Sequence, residues 1–452
     1  MTDHRRGAAP KGPTSQARDV RGQHARKTAL ALLRAVLEEG RPLDEALTRN
    51  PHMAKLEVRD RAFARLLLVT ALRRLGQIDA VIDACLDRPI RPKDVMLRHI
   101  LRLGAVQLLF LDTPPHAAVN TSLDLAKGPR LAGQRGLLNA VLRRLSREGK
   151  AMVAAQDAAR LNTPDWLWDS WTAAYGEDTA RAIAEAQLGE PPLDLSCKTD
   201  PEGWAEKLGA EVLPGGSLRL AAGQGDVTRL PGYGEGAWWV QDAAAALPAR
   251  LLGDVSGKTV IDLCAAPGGK TAQLAAAGAE AIAVERSPER LARLQENLQR
   301  LQLGAATVTA DAATWEPPAP ADAVLLDAPC SATGTLRRHP DIAYLKDSTQ
   351  IAGLTAAQDK LLAHAVGMVK PGGLLVYAVC SLQPEEGPQR IHALLSSDDR
   401  VERLPLTAED LPGMAEMITP EGDLRSLPCH LANPGTLGGG LDGFYACRLR
   451  RL

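Results

Sequence analysis

The sequence has no long apolar run, and its few cysteines are scattered. No stretch reaches the ~18 uninterrupted apolar residues of a membrane-spanning helix, and Met1 to Arg6 lack the apolar segment that a secretory signal needs. The seven cysteines are odd in number and form no CxxC pair, which argues against a disulfide framework and a zinc site. These absences predict a cytoplasmic protein without a membrane span or a bound metal.

The chain as a whole has little net charge, but its two parts differ in sign. Residues 1–150 contain 28 Lys and Arg against 15 Asp and Glu, whereas the rest of the chain contains 25 basic and 39 acidic residues. The excess of positive charge in the first part indicates contact with a polyanion such as RNA. The alternative interpretation is that the two oppositely charged parts attract each other.

The first part of the chain predicts a basic arm followed by helices. Residues 1–27 contain seven basic residues and lack apolar periodicity, so we expect a disordered arm that either contacts RNA or only aids solubility. From Thr28 onwards apolar residues recur with helical spacing, as in the segment from Ile78 to Leu86. Residues 28–150 therefore predict one all-α bundle.

A mixed segment follows, and then strands alternate with helices. Three tryptophans between residues 166 and 171 mark a helix, and residues 191–195 resemble a short strand, so residues 151–235 predict a small α+β subdomain. In residues 236–452, five short apolar runs alternate with helical segments, which predicts a doubly wound α/β domain with a Rossmann-like parallel sheet. The five predicted strands are residues 259–263, 281–284, 306–309, 323–326 and 374–379.

A glycine-bearing turn follows the first of these strands. Such a turn between a strand and a helix lets a ligand approach the backbone closely. Its spacing matches neither GxGxxG nor a Walker A sequence, which argues against a dinucleotide and against ATP. The residues of this candidate cofactor loop are Cys264, Ala265, Ala266, Pro267, Gly268, Gly269 and Lys270.

Acidic residues end the next three strands. Glu285 is placed to bind the ribose hydroxyls of a nucleoside, and Asp311 and Asp327 follow at the same edge of the predicted sheet. Each acid alone is more often a helix cap, but together they indicate a nucleoside cofactor without a phosphate tail. S-adenosylmethionine fits this description.

Two cysteines follow neighbouring strands and predict nucleophilic catalysis. Cys330 and Cys380 would face one pocket, although a single cysteine at a strand end is usually a small buried hydrophobe. Methylation of carbon 5 (C5) of cytosine requires activation, which a thiolate supplies by adding to carbon 6 (C6). Asp327 could hydrogen-bond the ring nitrogen and support this addition.

The C-terminal half resembles the Nop/Sun family of RNA cytosine-5 methyltransferases. The matching motifs are residues 262–271 (DLCAAPGGKT), 327–334 (DAPCSATG), 337–342 (RRHPDI) and 379–386 (VCSLQPEE), and residues 428–430 and 442–446 look like C-terminal strands of the family. The resemblance implies a class I methyltransferase fold, with Cys380 as nucleophile and Cys330 assisting product release. It also implies that residues 264–270, Glu285, Asp311 and Asp327 hold S-adenosylmethionine.

The N-terminal bundle looks like a NusB-type RNA-binding domain across roughly residues 25–148. Together the two halves resemble enzymes that methylate 16S rRNA, which implies rRNA as substrate and a monomeric enzyme. Three alternatives stay open. These are a methyltransferase for tRNA or another rRNA site, a DNA cytosine methyltransferase, for which Cys380 would be surplus, and an RNA-binding module without catalysis.

Overall fold

The computed structural model describes residues 15–128, 131–432 and 437–452, which divide into two compact units between Asn162 and Thr163. The first unit extends beyond the predicted boundary at residue 150. The reason is local packing: the side chain of Asn162 accepts a hydrogen bond from the Gln77 backbone N–H at 3.1 Å, and Gly76 leaves room for the backbone of Leu161. The residues after 150 therefore complete the first unit.

The described part of the first unit contains helices joined by loops and no strand, which confirms the predicted all-α class. Helix α6 packs against α1, α4, α5, α7 and α8. Gly104 in α6 permits this packing, because a Cβ atom there would lie 2.5 Å from a methyl carbon of Leu142. The helices are α1 (Ser15–Leu37), α2 (Leu43–Arg49), α3 (Pro51–Lys55), α4 (Val58–Arg73), α5 (Leu75–Ala84), α6 (Val95–Leu109), α7 (Pro115–Leu125), α8 (Arg135–Ala154) and α9 (Ala158–Leu161), with 3-10 turns at Pro92–Asp94 and Ala132–Gln134.

The predicted disordered arm is wrong for residues 15–27, which belong to α1. Ala25 is fully buried, and the guanidinium group of Arg26 donates a hydrogen bond to the Gln107 side chain at 2.6 Å. The same group lies 4.9 Å from the ring centre of Phe63. Ala25 and Arg26 thus extend the buried face of the helix, although this part of the sequence has no apolar periodicity that would predict a helix. Residues 1–14 of the predicted arm lie outside the described residues.

The second unit begins with two helices and a small antiparallel sheet, in agreement with the predicted α+β character. The order of the sheet is β2-β3-β1-β4, and β4 lies beyond the predicted boundary at residue 235. Strand β4 belongs here because it pairs with β1, for example Cys197 opposite Trp238. The elements are α10 (Asp165–Tyr175), α11 (Glu177–Ala186), β1 (Leu193–Cys197), α12 (Pro201–Leu208), β2 (Glu211–Val212), β3 (Leu218–Leu220) and β4 (Trp238–Val240), with a 3-10 turn at Val227–Arg229.

The rest of the second unit is a Rossmann-like α/β domain. All five predicted strands are present, and they form the parallel part of a sheet with the order β10-β12-β9-β8-β5-β6-β7. The elements are α13 (Ala243–Arg250), β5 (Thr259–Leu263), α14 (Gly269–Ala276), β6 (Glu280–Glu285), α15 (Pro288–Leu301), β7 (Ala306–Thr309), β8 (Ala321–Asp327), α16 (Ile342–Leu345), α17 (Ile351–Met368), β9 (Val369–Val379), α18 (Pro388–Ser397), β10 (Val401–Arg403), β11 (Leu424–Ser426) and β12 (Phe444–Arg451).

The C-terminal strands differ in part from the prediction. Strand β12 runs antiparallel between β9 and β10, and it contains Phe444, Tyr445 and Ala446 of the predicted strand. Residues 428–430 are a turn rather than a strand. The His430 backbone N–H donates to the Leu427 carbonyl oxygen at 2.9 Å, which closes the turn directly after β11.

The strand order places a crevice at the carboxyl ends of β5 and β8. Strand β6 lies on one side of β5, and β8 lies on the other. The strand order therefore reverses direction at β5. Open α/β sheets bind their ligands at such a switch point. The residues after β5, β6, β7, β8 and β9 all meet at this edge.

Candidate active site

The turn after β5 brings backbone to the centre of the crevice. Gly268 has φ +100° and precedes the first turn of α14, and a Cβ atom there would lie 2.8 Å from a side-chain carbon of Leu294. Only glycine combines this conformation with this close packing. Helix α15 also holds the turn from outside, because Arg290 donates to the Ala266 carbonyl oxygen at 2.7 Å and Asn297 donates to that of Pro267 at 3.1 Å.

Cys264, another residue of this turn, is largely buried near carboxylates. Cys264 directly follows β5 and has φ +61°. Burial, with contributions from Asp327 and Glu285, raises the pKa of its thiol to about 12. The thiol is therefore neutral near pH 7. Cys264 can contribute shape and backbone groups to the site, but no thiolate.

Glu285 is the last residue of β6 and is 2% exposed. One carboxylate oxygen, Oε1, accepts a hydrogen bond from the Ser287 backbone N–H at 3.0 Å. The other, Oε2, lies 3.3 Å from the Arg290 guanidinium but has no hydrogen-bond partner within the described chain. A buried oxygen with unused acceptor capacity suits a ligand hydroxyl.

Asp311 lies two residues beyond β7 and is exposed. Its carboxylate accepts a hydrogen bond from the Ala313 backbone N–H at 2.9 Å. The preceding residue, Ala310, donates its N–H to the Glu285 carbonyl oxygen at 3.2 Å, so Asp311 is held beside the end of β6. Both predicted acids thus occur at neighbouring strand ends.

Lys270 and Asp327 form an ion pair across the crevice. The Lys270 ammonium group is 2.8 Å from an oxygen of Asp327, which ends β8. Burial lowers the pKa of Lys270, but the Asp327 carboxylate more than offsets this effect, so the net shift is upwards. The loop motif predicted Lys270 as a cofactor-loop residue but not this ion pair, because the two residues are far apart in the chain.

Cys330 and Cys380 meet as predicted. Cys330 follows β8, Cys380 follows β9, and their sulfur atoms are 3.4 Å apart. Both residues are partly exposed. The hydrogen bond with Cys380, together with burial, raises the pKa of Cys330 well above its ordinary value. Cys330 is therefore protonated at neutral pH.

A buried network that the sequence analysis missed underlies the two thiols. The Glu386 carboxylate is fully buried and accepts hydrogen bonds from Ser331 and Ser381, which directly follow the two cysteines. Gln358 on α17 donates to it as well, at 3.1 Å. The only local signal was an acidic residue inside the motif of residues 379–386.

Two arginines beside this network are paired with buried aspartates. Arg338 forms a short ion pair with Asp442, and Arg337 lies 3.3 Å from Asp242. Burial lowers the pKa of Arg338, but the negative charges of Asp442 and Asp242 outweigh this effect, so the net shift is upwards. Cys380 makes a further contribution in the same direction. A permanent positive charge therefore lies near the Cys380 sulfur. No sequence pattern indicates these pairs.

No metal centre accompanies these residues. Over residues 15–128, 131–432 and 437–452, no group of three His, Cys, Asp or Glu side chains could hold a metal ion. Among the helices of these same segments, none is long and apolar enough to cross a bilayer.

The strand order and the residues at the crevice are typical of one group of enzymes. The sheet has an antiparallel strand next to its fifth parallel strand, a glycine turn after the first strand and an acid at the end of the second. These features are those of a Rossmann-like methyltransferase that uses S-adenosylmethionine. Residues 249–450 match the family model for 16S rRNA methyltransferase RsmB/F, and residues 23–147 match that of the NusB family. The chain belongs to the RsmB/F family of rRNA methyltransferases, with an N-terminal NusB domain.

Relatives and solved structures agree with this assignment. The chain is 35% identical to ribosomal RNA small subunit methyltransferase B of Cronobacter sakazakii, over 82% of this chain and 90% of the relative. It is 35% identical to the Pseudomonas putida protein of the same name, over 94% and 98%. The crystal structure of PH0851 has a TM-score of 0.71 at 23% identity and covers 94% of this chain and 98% of its own, which supports the fold.

Proposed function

We propose that this protein methylates C5 of a cytosine in 16S rRNA through a covalent bond between Cys380 and C6. The observation that carries the proposal is the 3.4 Å separation of the Cys330 and Cys380 sulfurs at the ends of adjacent strands. The two thiols can act on neighbouring atoms of one ring, as addition at C6 and proton removal at C5 require.

The cofactor site consists of the turn of residues 264–270 with Glu285 and Asp311. Gly268 allows the ligand to approach the backbone, and the unsatisfied oxygen of Glu285 is suited to a ribose hydroxyl. Residues 264–269 provide backbone groups, while Lys270 directs its ammonium group to Asp327. When bound, S-adenosylmethionine supplies the electrophilic methyl group that C5 accepts.

Cys380 acts as the nucleophile. Its thiolate adds to C6 and makes C5 enamine-like. The Cys330 sulfur, 3.4 Å away, and the positively charged Arg338 guanidinium can stabilise the Cys380 sulfur during attack and release. N3 takes up a proton from solvent during the addition, and the Asp327 carboxylate, held by Lys270, accepts a hydrogen bond from the resulting N3–H. N3 returns this proton to solvent once C5 carries the methyl group.

Cys330 acts after the methyl group has been accepted. Its pKa is raised mainly by the hydrogen bond with Cys380, and this cause disappears once the Cys380 sulfur is bonded to C6. Cys330 then loses its proton to solvent more readily and removes the proton from C5. The C6–S bond breaks, its electron pair returns to the Cys380 sulfur, and the ring double bond is restored.

The choice of 16S rRNA rests on the relatives and the N-terminal domain. The relatives named above are small-subunit rRNA methyltransferases. The NusB domain lies in the basic part of the chain, which suits contact with RNA phosphates.

The proposal is tested with 16S rRNA from cells that lack this protein. The purified protein and S-adenosylmethionine carrying a labelled methyl group are incubated with this RNA, and its nucleosides are identified by mass spectrometry. We expect the label in 5-methylcytidine at one position. Label in another nucleoside would contradict the C5 chemistry, and methylation of tRNA in place of 16S rRNA would contradict the substrate.

A further inference from the structure

Glu386 lies beneath both cysteine turns without reaching the crevice itself. It belongs to the segment between β9 and α18 and is 0% exposed. A carboxylate removed from water in this way is costly unless hydrogen bonds replace its hydration. Its surroundings therefore indicate what the residue does.

Four donors converge on the two oxygens of Glu386. Ser331 donates its backbone N–H to Oε1 at 2.8 Å and its hydroxyl to Oε2 at 2.5 Å. The Ser381 hydroxyl donates to Oε2 at 2.5 Å, and the Gln358 amide donates to Oε1 at 3.1 Å. An ionised carboxyl group only accepts hydrogen bonds, so it matches four donors where an amide would not.

These donors connect the two cysteine turns to each other. Ser331 follows Cys330 in the turn after β8, and Ser381 follows Cys380 in the turn after β9. The Gln358 amide also donates to the Pro329 carbonyl oxygen at 2.9 Å, so the Cys330 turn is held on both sides of the thiol. One side chain thus fixes both sulfur-bearing segments.

We propose that Glu386 is the positioning residue that holds the Cys330 and Cys380 sulfurs at the separation needed for product release. The proposal rests on the function proposed above, in which the two thiols act in turn on one cytosine ring. Glu386 contacts neither sulfur nor substrate, and it acts through the serine that follows each cysteine.

The test compares Glu386→Ala and Glu386→Gln with Tyr377→Phe. Glu386→Ala removes the carboxylate that all four donors share, whereas Glu386→Gln keeps the shape and loses one acceptor oxygen. Tyr377→Phe is the matched control, because the Tyr377 hydroxyl is buried and donates to the Glu386 main-chain oxygen at 2.6 Å, not to its carboxylate. Ser381→Ala removes a single donor and supports the comparison if Glu386→Ala fails to fold.

The first readout is disulfide formation between Cys330 and Cys380, which needs neither RNA nor cofactor. Diamide takes two electrons and the two thiol protons as the S–S bond forms, and the bridge is followed by mass spectrometry. We expect at least tenfold slower bridging in Glu386→Ala, an intermediate rate in Glu386→Gln and Ser381→Ala, and a rate near wild type in Tyr377→Phe. Bridging at the wild-type rate in both Glu386 variants and in Ser381→Ala would overturn the proposal.

The second readout is turnover with 16S rRNA. We expect Glu386→Gln to lower kcat at least tenfold and to accumulate covalent protein–RNA adduct, with the affinity for S-adenosylmethionine unchanged within twofold. An equal loss in Tyr377→Phe would indicate a general structural role and overturn the proposal. If the wild-type protein forms no 5-methylcytidine but bridging depends on Glu386, the proposed function fails while the positioning of the thiols stands.

Discussion

The sulfur atoms of Cys330 and Cys380 lie 3.4 Å apart, although 50 positions separate the residues in the chain. The parallel pairing of β8 with β9 produces this contact, because it brings the two strand ends to the same edge of the sheet. The hydrogen bond between the two sulfurs, together with burial, raises the pKa of Cys330. Two thiols held this close can have different tasks in one reaction.

The two cysteines are expected to give different variant phenotypes. Cys380→Ala should abolish methyl transfer and leave cofactor binding nearly intact, because no bond to C6 can form. Cys330→Ala should methylate about once and stay attached to the RNA, since release is impaired. A denaturing gel with labelled 16S rRNA separates these outcomes, and the double variant should show no adduct. The reverse pattern, with Cys380→Ala trapped, would mean that the two roles are exchanged.

Glu285→Ala should weaken the binding of S-adenosylmethionine. The change removes a buried acceptor whose hydrogen bond to a ribose hydroxyl is charge-assisted, which is worth roughly 1.5–3 kcal/mol, or about ten- to hundredfold in affinity. Isothermal titration calorimetry measures this loss. Glu289→Ala is the control, because Glu289 lies near in the chain but its side chain is 64% exposed and pairs with Arg293. Undiminished binding in Glu285→Ala would refute the assigned cofactor position.

The basic N-terminal unit should bind structured RNA by itself, and the affinity should fall steeply as salt rises. A fragment of residues 1–162 is the suitable one, because a fragment ending at residue 150 would cut α8 and lose the contact between Gln77 and Asn162. Filter binding at several salt concentrations tests this expectation. If the fragment shows no salt-dependent binding, the charge asymmetry has another cause.

Arg143 is the arginine of α8 that we expect to contact phosphate. Its side chain donates to Asn139, whereas the neighbouring arginines Arg144 and Arg147 both lie near the Glu148 carboxylate. Arg143→Ala should lower RNA affinity and reduce the salt slope by about one unit. Arg144→Ala should have the smaller effect, and an equal loss in both variants would argue against a specific contact.

Asp262→Asn should stabilise the protein at neutral pH. Burial raises the pKa of Asp262 from 3.8 to about 7, so the folded protein holds this proton more tightly than the unfolded chain between these values. Stability therefore decreases as the pH rises from about 4 to about 7 and stays lower above that range. Asn keeps an acceptor for the Thr271 hydroxyl and removes the buried charge. The free energy of unfolding should increase by at most about 4 kcal/mol, at 1.36 kcal/mol per pKa unit.

Thermal unfolding from pH 4 to pH 8 measures this effect. The gain in Tm of Asp262→Asn should shrink towards pH 4, where the carboxyl group is protonated in both states. Asp322→Asn should lower the Tm at neutral pH, because the hydrogen bond from Lys370 lowers the pKa of Asp322 and thus stabilises its ionised form in the folded protein. A gain for Asp262→Asn that does not vary with pH would contradict this explanation.

Local sequence patterns were sufficient to predict the elements that depend on near neighbours. The five parallel strands and the glycine turn of residues 264–270 were predicted at the right places, because apolar runs and glycine constrain the backbone over a few residues. The two cysteines could also be predicted to meet, because residues at the ends of adjacent parallel strands share one edge. The start of α1 was missed, because Ala25 and Arg26 carry no apolar periodicity although both are buried.

The pairing of polar groups at the site could not be predicted from local patterns and is visible only in the folded domain. Lys270 with Asp327, Arg338 with Asp442, and Glu386 with the serines after the two cysteines all join separate segments of the chain. The position of β12 between β9 and β10 was equally undetermined. A local pattern specifies whether a residue is buried and in which element, but not its partner in another element. That choice depends on strand order and loop geometry, which form only when the whole domain packs.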